Sequence, residues 1–156
     1  NHENRLDQAL NHAETAPSLK GLPTHKSILE ELGWAFHPYM VPANIDGVAY
    51  AHCLPSGSMG RAISGNNLAK TLLDKMMVSC VVGHTHNFDF MMRHDAFGNR
   101  LFALVAGCYY DVVPAYAKST AHLWWRGVCI LNGVQDGCLV RGQETIRVED
   151  MADSVG

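Results

Sequence analysis

Two histidines one residue apart follow an apolar segment near the middle of the chain, in Gly83-His84-Thr85-His86. The residues before them, Val78-Ser79-Cys80-Val81-Val82, predict a buried strand. Alternate side chains of an extended segment leave the same face, so His84 and His86 are predicted to point the same way. Neutral imidazoles placed in this way bind divalent metal ions. Histidines that merely cap a buried strand are the alternative, and the Gly-His-x-His spacing favours the metal site.

A further histidine, His52, follows a second predicted strand. Asp46-Gly47 is a turn signal, and residues 48–51 read as a short buried strand that ends at this histidine. In open α/β sheets ligands gather at the carboxyl ends of the strands, so two strands that each end in histidine predict one shared site. The Gly/Ser segment 55–60 beside it is a weak candidate for a phosphate-binding loop, because such loops are common without that function.

The chain opens with Asn1-His2-Glu3, which offers an amide oxygen, an imidazole and a carboxylate. A helix is predicted after it, from Leu6 to about Glu14. Taken alone, this segment is typical of a terminus without function. The opening without an initiator Met suggests the interior of a longer sequence.

Taken in order, these groups resemble the motifs of the calcineurin-like metallophosphoesterases, with the phage and bacterial forms most similar. That family carries five blocks: Asp-x-His, Gly-Asp-x-x-Asp, Gly-Asn-His-Asp/Glu, a lone His after a strand, and Gly-His-x-His. The third block appears here as Asn1-His2-Glu3 without its glycine, the fourth as His52, and the fifth as Gly83-His84-Thr85-His86. The similarity covers essentially the whole chain. It implies that the first two blocks, which this chain lacks, lie upstream of it.

The resemblance implies a site for two divalent metal ions. Asn1, His52 and His84 would ligate one ion, while His86 would join upstream residues at the other. His2 would act as the catalytic acid that protonates the leaving group. Imidazole, amide and carboxylate ligands together suit Mn, Fe, Zn or Ni, so the metal stays open. Two such ions activate water for hydrolysis of a phosphomonoester or phosphodiester, which leaves phosphatase and nuclease activities as expectations.

Composition limits the partners of the protein. The chain has 156 residues, 47% of them hydrophobic, which predicts one domain over residues 1–148 with a loose tail at 149–156. A net charge of −3 without a Lys/Arg run argues against an extended nucleic-acid surface and leaves a nucleotide or a DNA end as the phosphate-ester substrate. No apolar stretch has membrane-spanning length, so no membrane partner is expected. Five cysteines without a Cys-x-x-Cys pair predict reduced thiols and a cytoplasmic location.

The order of the predicted elements favours a mixed α/β fold. Helices are predicted over residues 26–32 and 66–76, strands over 34–36 and 48–51, and hairpins over 88–106 and 127–140. This order predicts a mixed sheet with helices against one face. The resemblance implies the C-terminal half of a two-sheet sandwich flanked by helices, which would need its N-terminal segment or a partner chain to complete the site.

Other interpretations remain open. A metallo-β-lactamase-like enzyme expects His-x-His-x-Asp-His, whereas the aspartate here, Asp89, is displaced by one residue and the last histidine is absent. An amidohydrolase expects its His-x-His near the first strand of a barrel, which the later hairpins argue against. A catalytically inactive, truncated domain that acts in protein association is the non-enzymatic alternative. Asp89 and Asn87 are candidates for orienting the imidazoles. Trp124-Trp125-Arg126 either stacks a substrate base or packs in the core.

Overall fold

The computed structural model describes residues 8–10, 12, 21–110, 112 and 115–153. The chain divides into two compact units, residues 1–41 and 42–156. Its fold class is mixed α/β, as predicted. Asn1, His2 and most of the helix predicted at residues 6–14 lie outside the described residues, although residues 8–10 are helical. The assignment of residues 1–148 to one domain stays a prediction.

The first unit contains helix α1, His25–Glu31. Thr24 caps it, because the Thr24 hydroxyl accepts a hydrogen bond from the Ser27 amide at 3.1 Å. The helix ends in a turn at Gly33, where φ is +80°, and the amide of Trp34 donates back to the Leu29 carbonyl at 2.9 Å. The prediction of a strand over residues 34–36 was wrong. The amide of the first residue, Trp34, is used to close the helix, and none of the three residues pairs with a strand.

The described residues of the second unit form β1 (Ala43–Ile45), β2 (Val48–Ala51), β3 (Pro55–Ser56), β4 (Arg61–Ala62), α2 (Leu68–Met76), β5 (Cys80–Val82), β6 (Phe88–His94), β7 (Arg100–Ala106), the 3₁₀ segment Ala115–Leu123, β8 (Gly127–Gln135), β9 (Cys138–Arg147) and α3 (Val148–Asp153). Its central sheet has the order β1-β2-β5-β7-β6, in which β2, β5 and β7 are parallel and both edge strands are antiparallel. Two separate hairpins pair β3 with β4 and β8 with β9.

Several predicted elements are confirmed, with changes at their ends. The strand at residues 48–51, the helix ending at Met76 and both hairpins lie where the sequence placed them. Strands β8 and β9 are longer than predicted: β8 continues through residues 132–135, read as a loop, with a β-bulge between Asn132 and Val134, and β9 continues to Arg147, which pairs with Gly127. Residues 149–153, predicted as a loose tail, belong to helix α3.

Strand β7 divides the core into two layers, because its alternate side chains face opposite sides of the sheet. Ala103 and Val105 pack with Leu72 and Leu73 of α2 on one side. Phe102 and Leu104 pack against the β8–β9 hairpin on the other, where they meet Leu139. The sheet is therefore covered by a helix on one face and by a hairpin on the other.

The five cysteines, Cys53, Cys80, Cys108, Cys129 and Cys138, are all free thiols. Burial raises the pKa of Cys80 to about 12, which keeps that thiol protonated and unreactive at neutral pH. None of the described helices combines the length and the apolar character needed to cross a membrane.

A buried hydroxyl joins the central sheet to the hairpin. Ser79, which is fully buried just before β5, donates its hydroxyl hydrogen to the carbonyl of Gly137. The same oxygen accepts a hydrogen bond from the Phe102 amide at 3.1 Å. One side chain therefore pairs a donor in β7 with an acceptor at the hairpin turn, and each would otherwise be buried without a partner.

The same turn touches the β1–β2 turn backbone to backbone. Gly137 donates its amide hydrogen to the Asp46 carbonyl at 2.6 Å. A Cβ atom at Gly47 would lie 2.5 Å from the Gly137 nitrogen, and Gly47 also has φ of +79°. Only glycine satisfies both the close approach and the left-handed conformation at this position.

We predict that Ser79→Ala lowers the free energy of unfolding by about 2–4 kcal/mol, because it leaves two buried backbone groups unpaired. Urea denaturation followed by circular dichroism measures this change, with Ser58→Ala, at an exposed loop position, as the control. Equal stability of the two variants would contradict the role assigned to the Ser79 hydroxyl.

Candidate metal centre

Two neighbouring parallel strands bring His52 and His84 together. Ala51 of β2 pairs with Val82 of β5, so the next residues, His52 and Gly83, leave the sheet side by side. The Gly83 amide donates to the His52 carbonyl at 3.2 Å, which extends the strand pairing by one step beyond the sheet. The predicted meeting of two strand-end histidines at one carboxyl edge is therefore present.

The two imidazoles are in direct contact. Nδ1 of His84 lies 2.8 Å from Nε2 of His52, and the ring planes meet at 70°. With one nitrogen protonated this contact is a hydrogen bond; with neither protonated, the two lone pairs would repel each other unless a cation lay between them. Nitrogen ligands about 2.0–2.1 Å from one tetrahedral ion are themselves about 3.3 Å apart. The observed separation of 2.8 Å is therefore about half an ångström shorter than that of two nitrogen ligands on one tetrahedral ion.

His86 lies beside this pair in an unusual backbone conformation. Its φ of +61° is in the left-handed region, which costs a non-glycine residue about 1–2 kcal/mol. The Trp125 amide fixes the segment by donating to the His86 carbonyl at 3.0 Å. The sequence analysis assumed an extended segment, in which the His84 and His86 side chains leave the same face. An extended segment requires a negative φ, so the left-handed conformation of His86 departs from that assumption.

The ring of His86 packs in an aromatic group with Trp124 and Tyr110, whose ring centroids lie 4.3 Å and 5.7 Å away. Burial lowers the pKa of His86, and the nearby His84 lowers it further. A lowered pKa keeps the imidazole neutral at neutral pH, which is the form that ligates a metal. His86 thus stands apart from the His52–His84 contact while remaining close enough to His84 for their charges to interact.

The described part of the chain holds two convergent imidazoles and a third nearby. Within that part, no group of three or more His, Cys, Asp or Glu side chains is arranged to hold one metal ion. Asn1 and His2, the predicted ligand and catalytic acid, lie outside the described residues. The predicted ligands His52 and His84 are thus brought together as a pair.

Thr85, between the two histidines of the motif, has a buried hydroxyl. Among the described residues this oxygen has no hydrogen-bond partner. A buried hydroxyl costs about 1–3 kcal/mol unless it is paired. Because Thr85 lies between His84 and His86, its hydroxyl would be paired if a further polar group bound beside the two histidines.

Asp89 has a different role from the one predicted. Its Oδ2 accepts a hydrogen bond from the Ala69 amide at 2.8 Å, and it therefore caps the first turn of α2. The local cap residue Asn67 is in the left-handed conformation and makes no side-chain capping bond, so the carboxylate from β6 replaces it. The prediction that Asp89 orients an imidazole was wrong, because its carboxylate is engaged at the helix. Asn87, the other candidate, is exposed.

The sequence left Trp124 as either a base-stacking or a core residue and gave only a weak signal for Tyr110 near the site; neither was predicted to contact His86. Both lie far from His86 along the chain, and their rings reach it because segment 124–127 runs beside residues 107–108. The Cys108 amide donates to the Trp125 carbonyl, and the Gly127 amide donates to the Cys108 carbonyl, each at 3.0 Å. The adjacent tryptophans were the available signal, but their spacing alone did not indicate which ring would face the histidines.

We predict that Asp89→Ala lowers the free energy of unfolding by about 1 kcal/mol through loss of the helix cap. Asp89→Asn keeps an acceptor oxygen and should lose less. Urea denaturation measures both changes. Metal content by elemental analysis should equal that of the wild type in both variants, and a selective loss of metal would return Asp89 to an imidazole-orienting role.

Comparison with known proteins identifies no relative, so any assignment of function depends on the sequence motifs and the site geometry. No protein-family model, curated protein or solved structure matches this chain. The resemblance to the metallophosphoesterases therefore stays a prediction.

Proposed function

We propose that this protein is a metal-dependent phosphoesterase that hydrolyses a phosphomonoester or phosphodiester. The contact between His84 Nδ1 and His52 Nε2 is the observation that carries the proposal. Two ring nitrogens from different strands lie 2.8 Å apart at a sheet edge, where a separation of about 3.3 Å would let both ligate one cation, and a third imidazole lies beside them. Together with the order of the Asn-His-Glu, His and Gly-His-x-His motifs, this arrangement supports a dinuclear site.

The residues have distinct roles in this proposal. His52 and His84 hold one ion, with Asn1 as the expected third ligand. His86 serves the second ion, in agreement with its separate position and its neutral imidazole. His2 donates a proton to the leaving oxygen, a task that suits a group titrating near neutral pH.

Two divalent ions, of Mn, Fe, Zn or Ni, would supply positive charge at the phosphoryl oxygens and an activated water. The chain itself contributes orientation. The β2–β5 pairing fixes His52 against His84, while the Trp125 amide and the surrounding rings hold His86 in its left-handed conformation. Because this geometry exists before substrate binds, little reorganisation is needed when charge develops on the phosphoryl group.

The substrate is a phosphate ester, for which a nucleotide or a DNA end is compatible with the net charge of −3. A cytoplasmic location agrees with the five free thiols. Substrate selection belongs to the residues around the histidines, since metal ions perform the same chemistry on many esters.

The test is metal content and hydrolysis of mono- and bis-p-nitrophenyl phosphate by the full-length protein. We expect about two transition-metal ions per chain. His84→Ala should lose metal and more than about 100-fold in activity, because even residues that only orient ligands contribute 10–100-fold. His94→Ala, an exposed histidine at the end of β6, is the matched control and should retain both.

His86→Asn tests the role of the imidazole without disturbing the backbone, because asparagine tolerates the left-handed conformation. This variant should fold normally by circular dichroism and still lose activity. A wild-type protein without bound metal or metal-dependent turnover would contradict the phosphoesterase and leave an association domain that keeps the motif.

A further inference from the structure

A largely polar cavity of about 260 Å³ lies where the 3₁₀ segment ends and the β8–β9 hairpin begins. Four of its lining side chains carry or can carry charge: His122, Arg126, Arg147 and Glu149. Trp124 and Trp125 also border it, but the Trp124 ring already packs against His86 and Tyr110. The charged side chains, rather than the indoles, therefore determine what this cavity can bind.

The two arginines are placed by backbone pairing at the end of the hairpin that lies opposite its turn. Arg147 pairs with Gly127 in the end rung of the β8–β9 ladder. One residue further out, the Val148 amide donates to the Arg126 carbonyl at 3.1 Å. Because both main chains are fixed in this way, the two guanidinium groups start from neighbouring positions, and less ordering is required when they bind a ligand.

The balance of charge in the cavity favours an anion. Two guanidinium groups line it against a single carboxylate, and Nη1 of Arg147 lies 3.8 Å from Oε2 of Glu149. Both of these side chains are mainly exposed, so the ion pair contributes little and exchanges readily for a stronger partner. None of the ion pairs found between described residues includes Arg126. Its positive charge is therefore available to a bound anion.

The types of donor favour a tetrahedral oxyanion. Guanidinium groups bind phosphate oxygens through paired hydrogen bonds, and two of them can reach different oxygens of one phosphate group. The imidazole of His122 adds a further nitrogen that can donate. A carboxylate has only two oxygens, both in one plane, and would satisfy fewer of these donors. The volume equals that of about eight water molecules at about 30 Å³ each, so a phosphate group fits with part of its hydration shell.

We propose that this cavity is a phosphate-binding site held by Arg126 and Arg147 and independent of any metal ion. The ligand is a phosphate group, either as inorganic phosphate or as the ester of a small organic molecule. This site is distinct from the candidate metal centre, because no lining residue of the cavity is one of the histidines assigned to the metals. Trp124 alone borders the cavity and also contacts the His86 ring.

Calorimetric titration of the full-length protein in EDTA, at constant ionic strength, tests this proposal. EDTA removes metal ions that the histidines could hold, so that phosphate binding reports on the cavity. Tighter binding of inorganic phosphate than of glycerol 3-phosphate would support the free ion as the ligand. Equal or tighter binding of glycerol 3-phosphate would support an esterified phosphate group. Acetate should bind at least tenfold more weakly than the better of these two probes.

Substitutions in the cavity should change the affinity in opposite directions. Arg126→Gln and Arg147→Gln should each weaken phosphate binding about tenfold or more, because each removes a charge-assisted contact. Glu149→Gln should strengthen it about two- to fivefold, because the carboxylate competes for Arg147 and repels the anion. Arg141→Gln, at an exposed position of β9 outside the cavity, is the matched control and should leave the affinity unchanged. Circular dichroism spectra equal to that of the wild type establish that the variants are folded.

The proposal would be overturned by an absence of phosphate binding in EDTA, or by equal effects of Arg126→Gln and Arg141→Gln. Binding of acetate as tight as that of phosphate would also contradict it. Phosphate binding that is absent in EDTA and appears with Mn²⁺ would place the anion on metal ions held by the histidines and remove the cavity site. Arginine-dependent binding in EDTA, in a protein without bound metal or turnover in Mn²⁺, would leave the cavity site and remove the phosphoesterase.

Discussion

The parallel pairing of β2 with β5 is the constraint on which the candidate site depends. The paired strands have four and three residues, so few hydrogen bonds fix their register. Bonds at the two ends reinforce it: the Ala49 amide donates to the Ser79 carbonyl, and the Gly83 amide donates to the His52 carbonyl. A slip of one residue would turn the buried side chains to the opposite face and separate the imidazoles. The contact between His52 and His84 therefore depends directly on the register of β2 and β5.

Elements on both faces stabilise this short pairing. Helix α2 buries its leucines against one face, and β6 holds both ends of the helix through Asp89 at the first turn and Arg93 at the last. The guanidinium of Arg93 donates to the Leu73 carbonyl and to the Asp74 carboxylate, each at 2.6 Å. On the other face the hairpin is tied to the sheet through Ser79. The histidines thus extend from a sheet whose position is fixed from both sides.

Much of this arrangement could be predicted from local patterns in the sequence. The alternation in β7, the leucine spacing of α2 and the turn signals of the hairpins each depend on neighbours in the chain, which is why the fold class and the edge carrying His52 and His84 were predictable. Asp89 shows the limit: its partner, Ala69, is 20 residues away, and nothing near Asp89 in the sequence indicates a helix without its own cap.

His86 and its aromatic neighbours show the same limit at the site itself. The His-x-His spacing indicates metal chemistry but assumes an extended backbone, whereas His86 has a positive φ and its carbonyl is bonded by the distant Trp125 amide. The association of Trp124 with His86 likewise depends on tertiary packing across almost 40 residues. Sequence patterns could identify the chemical groups, but the packing decides which of them share a pocket.

The meeting of the two glycine turns bears on how this fold can vary in length. Surface turns usually accept inserted residues, because the chain there faces water and has room to bulge. At Gly47 and Gly137 the two turns instead touch backbone to backbone, and the Gly137 amide hydrogen-bonds to the Asp46 carbonyl. An inserted residue that moved Gly137 would also move the carbonyl that receives the Ser79 hydroxyl. These two connections are therefore expected to accept inserted residues less readily than turns that contact nothing.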